Sequence, residues 1–134
     1  MSEPRRLTVR DIMTAPVVTS GPDDDLSGVA AEMRRHRIGS VVIMENQKIV
    51  GILTERDFVR IVEQVGTLLK RNLAKHYMAK PVITVQLDTS IANAIKLMRK
   101  EHVRHLIVLN KDLEMVGVIS SRDLMKNTGE TMEV

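Results

Sequence analysis

At 134 residues, 43% hydrophobic and 28% charged, the chain suits one compact domain or two very small ones, and half of it alone would be a marginal fold. It has no cysteine, which excludes disulfides and thiolate metal sites, and its only aromatic rings are Phe58 and Tyr77, too few for a protein that stacks single-stranded bases. The formal net charge of +3 suits anionic small molecules and is weak ground for nucleic acid.

The opening Met1-Ser2-Glu3-Pro4-Arg5-Arg6 lacks the apolar run of a signal peptide, and no apolar stretch approaches membrane-spanning length. A cytoplasmic protein with no membrane partner is the expectation. In chain order the sequence is one unit written twice. Met13, Pro16, Val17, Thr19, Asp23, Met33 and Arg34 recur as Met78, Pro81, Val82, Thr84, Asp88, Met98 and Arg99, an offset of 78 − 13 = 65. Further on, Val50, Gly51, Arg56 and Asp57 recur as Val116, Gly117, Arg122 and Asp123, an offset of 117 − 51 = 66. The extra residue falls between Glu45-Asn46-Gln47-Lys48 and Asn110-Lys111-Asp112-Leu113-Glu114. Both stretches are polar, lie between apolar runs and read as hairpin turns, where an insertion is tolerated.

Each copy opens with a short strand after a proline, Val17-Val18-Thr19 and Val82-Ile83-Thr84-Val85. A helix follows, with Leu26, Val29, Ala30 and Met33, and again Ile91, Ala94, Ile95 and Met98, spaced as one apolar face. Asp23 and Asp88 are the expected N-caps. Arg34, Arg35, His36 and Arg37 close the first helix, and Arg99, Lys100 and His102 the second, cations at the negative end of a helix dipole. Two strands come next, Ser40 to Met44 with Ile49 to Leu53, and Leu106 to Leu109 with Met115 to Ile119, apolar enough to be buried on both faces. A last helix runs from Glu55 to about Gln64 and from Ser121 to about Lys126. The expected fold class is α+β, two β-α-β-β-α repeats whose small sheets hide their open faces against each other. The boundaries are 7–65 for the first repeat, 66–77 for a helical connector, 78–127 for the second repeat and 128–134 for a loose tail.

Two stretches carry the chemistry: Gly51-Ile52-Leu53-Thr54-Glu55-Arg56-Asp57 and Gly117-Val118-Ile119-Ser120-Ser121-Arg122-Asp123. Thr54-x-x-Asp57 and Ser120-x-x-Asp123 open helices with the spacing of a capping box, and on spacing alone that is the simpler reading. A cap needs neither of the accompanying residues. A glycine inside a buried strand lets another group approach the backbone, and Arg56 and Arg122 stand beside helix N-termini. Free amides, a hydroxyl and a guanidinium suit a phosphate, while an acidic side chain can accept from paired ribose hydroxyls. The two roles are compatible, with the cap serving the empty state.

With these turns stand Asp11-Ile12-Met13-Thr14-Ala15-Pro16-Val17-Val18-Thr19 and His76-Tyr77-Met78-Ala79-Lys80-Pro81-Val82-Ile83-Thr84. The ordered, duplicated set resembles a tandem pair of CBS domains, the modules named after cystathionine beta-synthase, over nearly all of Leu7 to Lys126. The resemblance implies a pseudo-two-fold, disc-like module with two related clefts between the repeats. It further implies regulatory ligands that contain adenosine: AMP, ADP, ATP or S-adenosylmethionine. It assigns ribose to Asp57 and Asp123, and phosphate to Thr54 and Ser120. Base or phosphates are flanked by Val18, Thr19, Ile83 and Thr84, and by Gly39, Ser40, Arg104 and His105. The second repeat has Arg104-His105 where the first has Gly39-Ser40, so the clefts need not be equal.

Other features have plainer readings. His102-x-x-His105 straddles a helix end and a strand start with no third ligand, so no metal is expected. Arg34-Arg35-His36-Arg37 reads as a solvated helix end before it reads as a nucleic-acid contact. Val59, Ile61, Val62, Val65, Leu68 and Leu69 exceed what one small helix buries and point to a homodimer surface. No nucleophile motif or Walker-type loop marks a catalyst, and no cofactor is expected. The leading expectation is a non-enzymatic ligand sensor read by an effector protein. A nucleic-acid-binding CBS protein and a structural dimerisation module with empty clefts are the alternatives.

Overall fold

The computed structural model describes residues 7–128. The elements run α1 (Val9–Ile12), β1 (Thr19–Ser20), α2 (Leu26–His36), β2 (Ser40–Glu45), β3 (Lys48–Thr54), α3 (Glu55–Val65), β4 (Thr84–Gln86), α4 (Ile91–Glu101), β5 (His105–Leu109), β6 (Met115–Ser120) and α5 (Ser121–Thr128). The α+β class and the twofold β-α-β-β-α order are as expected.

The strands form two three-stranded sheets, ordered β1-β2-β3 and β4-β5-β6. In each, the first strand is parallel to the second and the second antiparallel to the third. A parallel neighbour needs a crossover, which α2 and α4 supply, and an antiparallel one needs only a turn. In the first hairpin Asn46 and Gln47 fill that turn with φ of 51° and 66°, the mirror-image geometry that matches strand twist. In the second, Asn110 Oδ1 accepts from the amides of Asp112 and Glu114 at 3.0 and 2.9 Å, and organises the longer loop. Each third strand bulges just before its glycine: Ile43 faces Gly51 while Met44 faces Ile49, and Val108 faces Gly117 while Leu109 faces Met115.

The chain divides into two compact units that interleave the repeats. One is Val18–Val82; the other joins the chain before residue 18 to the chain from Ile83 onward. The core of the first is Leu26, Val29, Met33, Val41, Ile43, Leu53, Ile61 and Ala74. The core of the second holds Ile91, Ala94, Ile95, Met98, Leu106, Val108, Ile119 and Leu124 together with Val9 from α1. The segment leading into each repeat therefore packs with elements of the other. Val9 N–H donates to the Thr89 carbonyl at 2.9 Å, and its counterpart Ala74 donates to Asp24 at 2.8 Å. Thr14 exchanges both backbone bonds with Val118 (2.8 and 3.0 Å), and Ala79 with Ile52 (2.9 and 3.1 Å), adding a fourth rung to the open edge of β6 and of β3.

Four local expectations are corrected. The N-caps are Asp25, which accepts from Gly28 N–H at 2.8 Å, and Ser90, which accepts from Asn93 N–H at 3.1 Å. The helices start later than the sequence suggested. Asp23 instead pairs with Lys75 at 2.9 Å, and Asp88 is exposed. The first strands begin two residues later than expected, at Thr19 and Thr84. The connector is helical only as two short 3-10 turns, Leu68–Arg71 and Ala74–His76. Asn127 and Thr128 belong to α5, and the remainder of the expected tail lies outside the described residues, as does Met1 to Arg6.

Candidate functional site

Each unit gathers its own set of sequence-selected residues at one end of its sheet. In Val18–Val82, β3 ends where β2 begins, so Thr54 lies opposite Ser40 in the ladder. Glu55 N–H, the first of α3, donates to the Gly39 carbonyl at 3.0 Å. The parallel β1 puts Val18 beside the start of β2, and its carbonyl accepts from Val42 N–H at 3.2 Å. The other unit repeats this: Ser120 lies opposite His105, Ser121 N–H donates to the Arg104 carbonyl at 2.8 Å, and the Ile83 carbonyl accepts from Ile107 N–H at 3.0 Å. Val18 and Ile83 pack against their cores, whereas Thr19, Thr84, Arg56, Arg104 and Arg122 are exposed.

The capping box is present. Asp57 N–H donates to Thr54 Oγ1 at 3.2 Å, and Thr54 N–H donates to Asp57 Oδ2 at 2.9 Å, with the Thr54 hydroxyl on the same oxygen at 3.0 Å. Arg60 approaches Asp57 Oδ1 at 3.4 Å, and the Asp57 side chain keeps 15% of its surface exposed. In the second unit Ser120 N–H donates to Asp123 Oδ2 at 3.0 Å, and Asp123 N–H to Ser120 Oγ at 3.1 Å. Both carboxylates are half-buried at a helix N-terminus, where the dipole favours negative charge.

The glycines admit a close approach, as expected, but by a side chain of the same chain. A Cβ on Gly51 would meet the Met78 side chain, standing 2.6 Å from its Cγ and 2.9 Å from its Cβ. One on Gly117 would meet Met13, 2.9 Å from Cγ and 3.2 Å from Cβ. The group that approaches these backbones is a methionine of the segment leading into the other repeat, so the glycines do not themselves point to a ligand.

Among the described residues no group of three or more His, Asp or Glu could hold a metal, and His102 is exposed at the end of α4. One depression of about 260 Å³ is lined by Arg10, Gln86, Leu87, Asp88, Asn110, Lys111 and Asp112. It sits at the hairpin end of the β4-β5-β6 sheet, the opposite end from Arg104 and Ser120, and holds none of the candidate residues. No helix among the described residues is long and apolar enough to cross a membrane.

Two stretches of the chain, 9–64 and 74–130, match the model of the CBS domain. The chain belongs to the CBS-domain family. It is a tandem CBS pair, with both matches containing the Gly-to-Asp turn. It is similar to the uncharacterized protein MK0525 of Methanopyrus kandleri, 33% identical over 91% of this chain and 63% of that one, so the CBS pair spans less than two-thirds of that relative's length. Among solved structures, the CBS domain of NE2398 superposes with a TM-score of 0.80 at 33% identity, covering 94% of this chain and all of that one (100%). The CBS domain protein PAE2072 from Pyrobaculum aerophilum, solved in complex with AMP, superposes with a TM-score of 0.75 at 30% identity, covering 87% of this chain and 89% of that one.

Proposed function

We propose that this CBS pair is a non-enzymatic regulatory module that binds an adenosine-containing ligand at the ends of its two sheets and passes the bound state to an effector protein. The observation that carries the reading is the duplicated turn: in each unit a half-buried carboxylate bonds a hydroxyl residue at the first turn of a helix, with an exposed arginine next to it in the chain. A ribose takes the carboxylates of Asp57 and Asp123. A phosphate takes the hydroxyls of Thr54 and Ser120 with the guanidinium groups of Arg56 and Arg122. Val18, Thr19, Ile83 and Thr84, with Gly39, Ser40, Arg104 and His105, flank the base or phosphates. The AMP complex of PAE2072 supports the ligand class. A ligand shifts a conformational equilibrium only by its differential affinity for the two states, so the signal is that difference. The module works as a homodimer through the exposed Val59, Val62 and Leu68.

Titration calorimetry with AMP tests the reading on the protein and on Asp123→Ala. Affinity falls about tenfold or more in the variant, the scale of losing charge-assisted hydrogen bonds, while circular dichroism stays native. Unchanged affinity reduces Asp123 to a cap.

A further inference from the structure

The two turns differ in charge at one equivalent place. Glu55 and Ser121 are the first residues of α3 and α5, and their amides bond the carbonyls of Gly39 and Arg104. Gly39 and Arg104 therefore occupy matching positions, as do Glu55 and Ser121. In Val18–Val82 the Glu55 carboxylate folds over Gly39: a Cβ there would stand 3.1 Å from Oε1 and 3.5 Å from Cδ. In the other unit the same spot has no carboxylate at residue 121 and an exposed guanidinium at residue 104. On the opening turns of α3 and α5 the other charges are matched, while Arg37, which ends α2 two residues before Gly39, has His102 at the equivalent end of α4. Arg56 answers Arg122, Asp57 answers Asp123, and Arg60 answers Lys126. At these two positions one negative charge is removed and one positive charge added, so the Ser120–Asp123 turn itself is about two unit charges more positive than its counterpart, and about one when the Arg37 to His102 difference is counted.

We propose that the two turns select opposite charge states of the same nucleoside. The Ser120–Asp123 turn takes the phosphorylated form through Arg104. The Thr54–Asp57 turn takes the form without phosphate, because Glu55 stands where a phosphate would lie and repels it. This rests on the nucleoside reading above and names the ligand class of each turn. It also gives the duplication a use, since a chain with one phosphate-seeking and one phosphate-averse position responds to the ratio of nucleotide to nucleoside.

The full-length chain is titrated with AMP and with adenosine, alongside Arg104→Gln and Glu55→Gln. Each substitution removes the charge of an exposed side chain, Glu55→Gln without change of shape and Arg104→Gln with a shorter polar group, and native circular dichroism establishes that both variants are folded. An exposed charge acting across solvent changes affinity by roughly three- to fivefold, and the effect shrinks with added salt. Arg104→Gln weakens AMP binding by that factor and leaves adenosine unchanged. Glu55→Gln strengthens AMP at the weaker position by a similar factor, again without effect on adenosine. AMP and adenosine binding that ignore both substitutions overturn the charge selection while leaving nucleoside binding in place. Absence of heat with either ligand on the unmodified, folded chain removes nucleoside binding itself, and the charge selection with it.

Discussion

Gly51→Ala tests how the segment leading into the second repeat is held on β3. Neither Gly51 nor Gly117 has a left-handed φ, so alanine is sterically allowed by the backbone and only the surrounding space is at issue. The new Cβ would stand 2.6 Å from Met78 Cγ and 2.9 Å from Met78 Cβ, against a normal carbon–carbon separation of roughly 3.5–4.0 Å. The thioether can swing away. Met78 Cβ moves only with its own backbone, and Ala79 next to it is pinned to Ile52 by bonds of 2.9 and 3.1 Å. Relief therefore strains the packing, at about 1–3 kcal/mol, or weakens one of those bonds, at about 1 kcal/mol net. Against this, alanine restricts the unfolded chain and returns roughly 0.4–1 kcal/mol. At mid-range the packing loss of roughly 2 kcal/mol exceeds the roughly 0.7 returned, and the net destabilisation is about 1.3 kcal/mol.

Urea unfolding followed by circular dichroism reads this directly as a lower midpoint at unchanged slope. The decisive measurement is a double-mutant cycle with Met78→Ala. Truncating Met78 frees the space, so Gly51→Ala should cost about 1 kcal/mol less in that background. A neutral Gly51→Ala, or a strictly additive pair, refutes the steric account. Gly117→Ala against Met13→Ala is the internal control, with a smaller cost because Met13 Cβ lies further away, at 3.2 Å.

Three more outcomes follow from other parts of the molecule. Arg37 and His102 end α2 and α4 with φ of 55° and 56°, so Arg37→Gly and His102→Gly should each raise stability by up to about 1 kcal/mol in the same assay. Val59 is 76% exposed on α3, so Val59→Lys should keep native circular dichroism and lower the dimer fraction in sedimentation equilibrium; an unaltered association constant refutes the proposed dimer surface. Lys75 is raised above its ordinary 10.5 by its hydrogen bond to Asp23 and by that carboxylate's charge. A raised folded-state value means the pair's stabilisation is fully present below about pH 10.5 and fades as pH climbs through the higher folded value, so Asp23→Asn should differ from the parent at pH 8 and converge with it in strong alkali.

The repeats and their element order were legible because they are written in periodicities that tertiary context does not overrule. Leu26, Val29 and Met33, and Ile91, Ala94, Ile95 and Met98, are buried at the helical spacing that marked them. The caps were less legible. Three acids in a row, Asp23 to Asp25, all look competent, and only the path of the preceding turn decides: Asp24 accepts from Gly21 N–H at 2.6 Å, which leaves the helix to Asp25. The interleaving was not legible at all. Val9 and Ala74 open helical turns of only four and three residues, too short for their apolar spacing to show which repeat they pack on, yet both are fully buried. A sign existed in retrospect: Met13 and Met78 recur at the repeat offset, as do the glycines they press against, and a close approach needs both members. The apolar excess beside α3 was half legible. Ile61 belongs to the core, while Val59, Val62 and Leu68 are left outside it.

At the first turn of α3 the capping and binding readings meet in one hydroxyl. Thr54 Oγ1 has one proton to give and two lone pairs to offer. The proton lies toward Asp57 Oδ2 at 3.0 Å, and one lone pair takes Asp57 N–H at 3.2 Å. A phosphate oxygen needs a donor, so a phosphate at Thr54 must draw that proton away from Asp57. The exchange gains little, since one hydrogen bond to an anion replaces another. The backbone keeps its own bond to the carboxylate, from Thr54 N–H at 2.9 Å, so Asp57 stays in place when the hydroxyl turns. Oδ1 meets only Arg60, at a long 3.4 Å on a side chain 56% exposed, a contact too weak to hold the oxygen against a ribose hydroxyl. The cap thus fixes the carboxylate through one oxygen and, in the proposed site, leaves the other to a ribose hydroxyl. On that proposal the cap preorganises the carboxylate, and the residue spacing that first argued for a bland helix start is the spacing a binding site on that helix would need.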